Sequence, residues 1–278
     1  MVSSIEIKPA LALQPYVSCY GLRTFNTGEI NMPRPMHAVH EYYITFFLKE
    51  KFCELRDNQG QFVKNLSNAL TTFFTESQGC CYFKGDYALF HVHIKCNGLF
   101  ALFGIPQKIL INTILPLEDL IVKDYKILTE KMESAKDIFE MGQIMDAYLL
   151  RMLFSRKHKI YTPTIAHVSN MIFKNRGLVS MDNLASISNM SFRNFERRFG
   201  DEVGMSPKLY ARIVRFYNAL ENKMLHPTKR WVDITYEHGY YDQAHFIKEV
   251  KTFTTKTPED LFKDTPPPTE EFITKVEH

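Results

Sequence analysis

Two stretches near the C-terminal end repeat one plan, and that repeat limits what the chain can fold into more than any other feature. In the first, residues 181–188 predict a short helix with Leu184, Ala185 and Ile187 inward. Asn189 follows at the point where a tight turn needs a left-handed residue, a conformation asparagine tolerates. Ser191 can cap the next helix, in which Phe192, Phe195 and Phe199 predict one buried stripe. The opposite face carries Arg193, Glu196 and Arg197. In the second stretch Val232, Ile234 and Tyr236 open a short helix, Gly239 marks the turn and Asp242 can cap the second helix of the unit. Phe246, Val250 and Phe253 form the stripe, while Gln243, Ala244, His245 and Lys248 lie on or beside the other face.

A helix with aromatics behind and guanidiniums in front can enter a DNA major groove. Arginine pairs bidentately with guanine or clamps phosphate, glutamine reads adenine, and lysine holds phosphate or guanine. The plainer alternative for Arg193 and Arg197 is a solvated helix face. For Glu196 it is a charge that holds Arg193 or Lys208, and for His245 it is packing on its own helix. The two turn residues stand fifty positions apart. Between them residues 207–222 predict a long amphipathic helix, with Leu209, Ile213, Phe216, Tyr217 and Leu220 apolar. Such a helix can hold two units rigidly apart, so that their second helices reach successive major grooves roughly 34 Å apart.

Three separate motifs in this region carry a resemblance. They are Gly204-Met205-Ser206-Pro207-Lys208, the run from Asp233-Ile234-Thr235-Tyr236 through Gly239-Tyr240-Tyr241-Asp242-Gln243-Ala244-His245-Phe246-Ile247, and Lys256-Thr257-Pro258. In this order and spacing they resemble the AraC/XylS family of bacterial transcription regulators over roughly residues 160–263. The resemblance implies a bipartite reader of double-stranded DNA. Its groove-facing positions fall on Arg193, Glu196 and Arg197, then on Gln243, Ala244, His245 and Lys248. It implies control of transcription, more often activation through RNA polymerase than repression. Val250 stands where the family usually has Phe, and Asn189 where Gly is common. A fainter resemblance, to the barrel-like sensor domains of one subgroup, rests on residues 98–106 and on Arg34-Pro35-Met36.

The first part of the chain reads as strands. Residues 16–25, 42–48, 69–74, 87–94 and 99–103 are rich in β-branched and aromatic types. Turns are expected at Asp57-Asn58-Gln59-Gly60 and Lys84-Gly85-Asp86. From Leu117 the period changes. Leu117, Leu120, Ile121 and Leu128 predict one helix, and Ile138, Met141, Met145, Tyr148, Leu149 and Met152 a second. After a basic, polar stretch, Thr162 can cap a helix that begins at Pro163 and ends at Gly177, with Ile165, Val168, Ile172 and Phe173 as its stripe. The segment with Pro266 to Pro268 predicts an extended tail.

The expected fold is α+β and multidomain. A β-rich, sandwich- or barrel-like sensor or dimerisation domain with two helices spans 1–156, followed by a linker at 157–163. An all-α domain with two helix-turn-helix units joined by a long helix spans 164–264, and 265–278 form the tail.

Composition narrows the classes without choosing among them. A hydrophobic fraction of 45% in 278 residues supports sizeable cores. The net charge of +3 permits a nucleic-acid partner but does not require one. Residues 1–9 show no leader-like pattern, and no apolar run is long enough to span a membrane, so a cytoplasmic protein without a membrane partner is expected. The cysteines, Cys19, Cys53, Cys80, Cys81 and Cys96, give no disulfide framework and no Cys-x-x-Cys, and small buried thiols are the expected reading. His91 and His93 alternate on a strand, with His37, His40 and Glu41 elsewhere, but a third ligand at firm spacing is missing. Ordinary partly buried histidines, and no metal or cofactor, are therefore expected. No nucleophile elbow, phosphate loop or dinucleotide fingerprint occurs, so no catalysis is expected. Among the aromatics Phe46, Phe47, Phe73, Phe74, Phe83, Phe100 and Phe103, some can line a pocket for a small effector. A homodimer through the helices of 117–152 is a further option. The rival class is a metal-binding β-barrel enzyme, or a DNA-repair protein, fused to a DNA-targeting domain.

Overall fold

The computed structural model describes residues 2–155 and 163–264. The Thr162 cap, the linker from 157 to 162 and the tail from 265 onward lie outside the described residues.

Among the described residues eight antiparallel strands form one sheet: β1 (Val2–Ile7), β2 (Val17–Pro35), β3 (Tyr42–Phe47), β4 (Cys53–Arg56), β5 (Phe62–Leu66), β6 (Ala69–Thr71), β7 (Cys80–Ile94) and β8 (Ile114–Pro116). The order is β1-β2-β7-β3-β6-β8, with β4 paired to both β5 and β7. The long pair β2–β7 is its spine, and register shifts near Val17, Asn26 and Gly28 bend it. The expected turn at Asp57 to Gly60 closes the β4–β5 hairpin, where the Asp57 amide donates to the Gln61 carbonyl at 2.9 Å. Lys84-Gly85-Asp86 is not a turn. It lies inside β7, where Gly85 at φ +120° lets the strand bend without ending.

The middle of the sheet is buried on both faces, while β5 and the outer half of β2 are largely exposed. Phe90, Val92 and Ile94 of β7 join Tyr20, Ile44 and Phe46 in a core completed by Met141, Met145 and Leu149. The alternate positions Cys81, Phe83 and Leu89 join Phe25, Phe47 and Leu66 around the inside of the curl.

The helices are α1 (Gly98–Phe103), α2 (Leu117–Leu120), α3 (Tyr125–Ser134), α4 (Ile138–Ser155), α5 (Pro163–Lys174), α6 (Met181–Ile187), α7 (Phe192–Val203), α8 (Pro207–Leu225), α9 (Trp231–Glu237), α10 (Gln243–Thr254) and α11 (Pro258–Asp264). Two of them correct the sequence reading. Residues 99–103 are helical, not a strand. A short apolar run has no decisive period, and here Leu99 and Leu102 sit a turn apart, both wholly buried, while Gly104 at φ +67° ends the helix. The single helix expected over 117–128 is broken after Leu120. Leu117 and Ile121 seat against the sheet, and a second helix starts after Asp124. The helix through Ile138 to Met152 forms as expected.

The all-helical part shares the principal core with the sheet. Its buried stripes are Ile165, Val168 and Ile172 on α5, Phe195 and Phe199 on α7, Ile213, Phe216 and Leu220 on α8, and Phe246, Val250 and Phe253 on α10. Three residues expected inward are outward: Phe173 is 45%, Ile187 38% and Phe192 44% exposed. Each sits at the first or last turn of its helix, where the apolar stripe runs past the edge of what it packs on.

Polar contacts join the two parts. The Tyr42 hydroxyl donates to the Val203 carbonyl at 3.2 Å, and the Ala38 amide to the Phe253 carbonyl at 3.1 Å. His37 meets the rings of Phe216 and Tyr217, and His40 stacks on Phe173. The stretch after α1 docks on α7: Gly204 lies against Gln107 and Ile111, and Lys108 pairs with Asp201 at 2.8 Å. Residues 98–106, singled out by the fainter resemblance, thus lead into this junction. Among the described residues no helix is long and apolar enough to cross a membrane.

Candidate nucleic-acid interface

Each helix-turn-helix unit is assembled by short-range chemistry. Ser180 caps α6 by accepting from the Asn183 amide, and Ser191 caps α7 by accepting from the Asn194 amide. Between them Asn189 adopts φ +53°, the left-handed turn its residue type predicts. In the second unit Gly239 takes φ +67°, and Asp242 caps α10 by accepting from the His245 amide at 2.7 Å. Ser206 caps α8, with Pro207 at its first position.

On α7 the residues Arg193, Glu196 and Arg197 are all exposed, opposite the buried Phe195 and Phe199. Arg197 is held extended along its helix, donating to Asn194 Oδ1 at 3.0 Å and to Asp201 at 3.2 Å. Asp201 also takes Lys108, so one carboxylate links the exposed face of α7 to the sheet part. On α10 the residues Ala244, His245 and Lys248 are exposed and Gln243 is half-buried. His245 keeps its ring 5.5 Å from that of Tyr240, with Nε2 4.0 Å from Glu249 Oε2. It both packs on its own unit and faces outward.

Glu249 escaped the sequence reading. It is 2% exposed on the inward side of α10, and its carboxylate accepts from Arg212 Nε at 2.8 Å and from the Arg215 guanidinium at 3.2 Å, both on α8. Arg215 also covers the Tyr240 ring at 4.3 Å, and Arg212 the Phe253 ring at 5.4 Å. This network fixes the rotation of α10 on α8, and hence which residues face out. The available signal was a carboxylate interrupting the apolar stripe between Phe246 and Phe253. His238, at the end of α9, is buried, and burial with the nearby Arg176 charge pulls its pKa down to about 4. Its Nε2 lies 3.0 Å from Asn222 Nδ2.

The sheet part holds a cavity of about 170 Å³, walled by Phe25, Phe47, Leu89 and Phe83, with Arg23, Arg34 and His91 also on its lining. His91 and His93 do project from the same face of β7, with ring centroids 6.3 Å apart, but His91 turns to the Thr45 hydroxyl at 3.0 Å. The cysteines are all free thiols, with Cys80 half-buried and the others buried.

Two capped helix-turn-helix units mounted on one central helix define a DNA-binding domain. Residues 184–264 match the family model described as a helix-turn-helix domain, and this segment is such a domain, of the kind the AraC/XylS resemblance implies. Among solved structures the chain is similar to ToxT from Vibrio cholerae, at 8% identity over 92% of this chain and 99% of that one, with a TM-score of 0.47. It is also similar to unsaturated fatty acid-bound ToxT of the same organism, at 11% identity over 88% and 96% with a TM-score of 0.48. No curated protein matches the chain in sequence.

Proposed function

We propose that the chain is a sequence-specific, DNA-binding transcription regulator. Arg193, Glu196 and Arg197 of α7, and Gln243, Ala244, His245 and Lys248 of α10, meet two successive major-groove segments, with basic side chains and backbone amides on phosphate fixing the register. The observation that carries this reading is the pair of outward polar faces, each backed by a buried aromatic stripe and tied to α8.

Residues 1–156 act as the sensing part and 164–264 as the DNA-reading part. The cavity suits a small, largely apolar effector with a polar or acidic end directed at Arg23 or Arg34. Effector binding would reach α7 through the junction at 107–111. RNA polymerase is the expected partner once DNA is bound. The exposed Ile127, Phe139 and Phe154 on α3 and α4 offer a surface for a homodimer.

The test is binding of the purified chain to the DNA upstream of its own gene, against scrambled competitor at one fixed salt concentration. Specific binding that collapses for Arg197→Ala and Lys248→Ala supports the reading. If genomic selection enriches no DNA at all, with or without small-molecule extracts, the reading fails.

A further inference from the structure

Glu6, Cys19 and His93 stand on three neighbouring strands. In the β1–β2–β7 ladder Glu6 lies opposite Gly21, and Cys19 lies opposite His93. Gly21 lies beside two of them: a Cβ there would stand 3.7 Å from His93 Nε2 and 3.8 Å from Glu6 Cγ, in ordinary contact. One ligand atom from each residue lies within 4.8 Å of the others. The residues are 3%, 6% and 7% exposed, respectively. The Cys19 thiol hydrogen-bonds to the Glu6 carboxylate and Arg23 lies near it, but Glu6 Oε2 and His93 Nε2 are buried without a hydrogen-bond partner. Leaving such an atom unsatisfied is costly, and more so if it is charged.

The far side of the imidazole is organised as well. Glu41 Oε2 stands 3.5 Å from His93 Nδ1, and Ser18 donates to Glu41 Oε1. The Tyr43 ring packs against the imidazole at 4.8 Å. A carboxylate on Nδ1 fixes the tautomer that leaves Nε2 as an acceptor, which is how proteins orient a metal-binding histidine.

We propose that Glu6, Cys19 and His93 form a site for a divalent transition-metal ion, with zinc the ion whose donor preferences fit, and that Glu41 positions the histidine. One sulfur, one nitrogen and one carboxylate oxygen suit zinc and disfavour calcium or magnesium, which take oxygen donors. Tetrahedral zinc holds its ligand atoms about 3.3–3.8 Å apart at its usual bond lengths, so side-chain shifts of about 1 Å close the set. Binding releases the Cys19 thiol proton to solvent and ties β1 to the spine of the sheet. The proposal is independent of the DNA-binding reading.

The test uses the full chain, stripped with chelator and reloaded with Zn²⁺ or Co²⁺. Elemental analysis after desalting is expected to give one zinc per chain. The cobalt form is expected to show a thiolate-to-cobalt charge-transfer band in the near ultraviolet and strong tetrahedral d–d bands. Both signals should vanish in Cys19→Ser and His93→Ala, and affinity should fall at least about tenfold in Glu6→Gln and Glu41→Gln. The wild-type cobalt spectrum reads thiolate ligation directly, so it decides the matter even if a variant fails to fold. No retained metal, or retained metal without the charge-transfer band, overturns the proposal. Either result would leave Glu6, Cys19 and His93 as a buried polar cluster that holds no metal.

Discussion

At the scale of single residues, the turns and caps carry the most specific consequences. Gly239 holds φ +67°, so Gly239→Ala forces a side chain into the left-handed region; its Cβ would also meet Leu178 Cδ2 at 2.5 Å, though that side chain is half exposed and can move. The expected cost is about 1–2 kcal/mol, read as a lower melting temperature. Asn189→Gly, at the equivalent turn, should change stability by less than about 1 kcal/mol, since asparagine already tolerates φ +53°. An equal loss in both variants would show that the turns do not govern the units.

His238 gives a pH dependence with a defined sign. Its folded pKa of about 4 lies below the ordinary 6.5, so between these values the unfolded chain binds the extra proton. Stability from this group is complete above pH 6.5 and is lost as pH falls toward 4. By pH 5 the loss is on the order of 2 kcal/mol. Denaturant melts of the wild type and His238→Asn at pH 7 and pH 5 check this. The variant should lose less on acidification, and an identical slope would remove His238 as the cause.

At the scale of elements, α7 and α10 are expected to contribute separately to DNA affinity. Lys248→Ala should weaken binding by about 1–3 kcal/mol, with a shallower salt dependence if it meets phosphate or relaxed sequence preference if it meets a base. Arg193→Ala and Arg197→Ala should do the same from the other half-site, without altering the fold. Glu249→Ala differs in kind. It leaves Arg215, 17% exposed, beside an emptied pocket and frees α10 to rotate on α8. Both stability and specific binding should fall, the former by about 3–5 kcal/mol. Loss of stability with unchanged DNA affinity would mean that α10 is held in register by its apolar stripe alone.

For the whole molecule, one apolar core runs from the sheet through α5, α7, α8 and α10, so the described parts should unfold together. Calorimetry should show one transition, and Tyr42→Ala should lower it by about 3–5 kcal/mol. Tyr42 is wholly buried against Phe73 and reaches Val203 across the junction. Two resolved transitions, with only one moved by Tyr42→Ala, would instead describe parts that fold separately. By contrast Lys108→Ala should change stability by less than about 1 kcal/mol, because both partners of its bridge are largely solvated.

What the sequence determined by itself is what short-range chemistry controls. A serine, aspartate or asparagine imposes its cap or turn within four residues, and a helix stripe repeats within two turns. The tandem units, the caps at Ser191 and Asp242, the turns at Asn189 and Gly239, and the outward placement of Arg193, Arg197 and Lys248 were therefore legible in the order of residues alone. Tertiary structure decided what depends on partners far along the chain. Whether 99–103 became strand or helix, and whether Gly85 ended a strand or bent it, depended on the surfaces they packed against. The ends of the apolar stripes at Phe173, Ile187 and Phe192 were set by where neighbouring elements stop. Glu249 became a structural carboxylate only because α8 brought two arginines to it. Residues 6, 19 and 93 are far apart in the chain, and only the ladder β1–β2–β7 places a carboxylate, a thiol and an imidazole within reach of one ion.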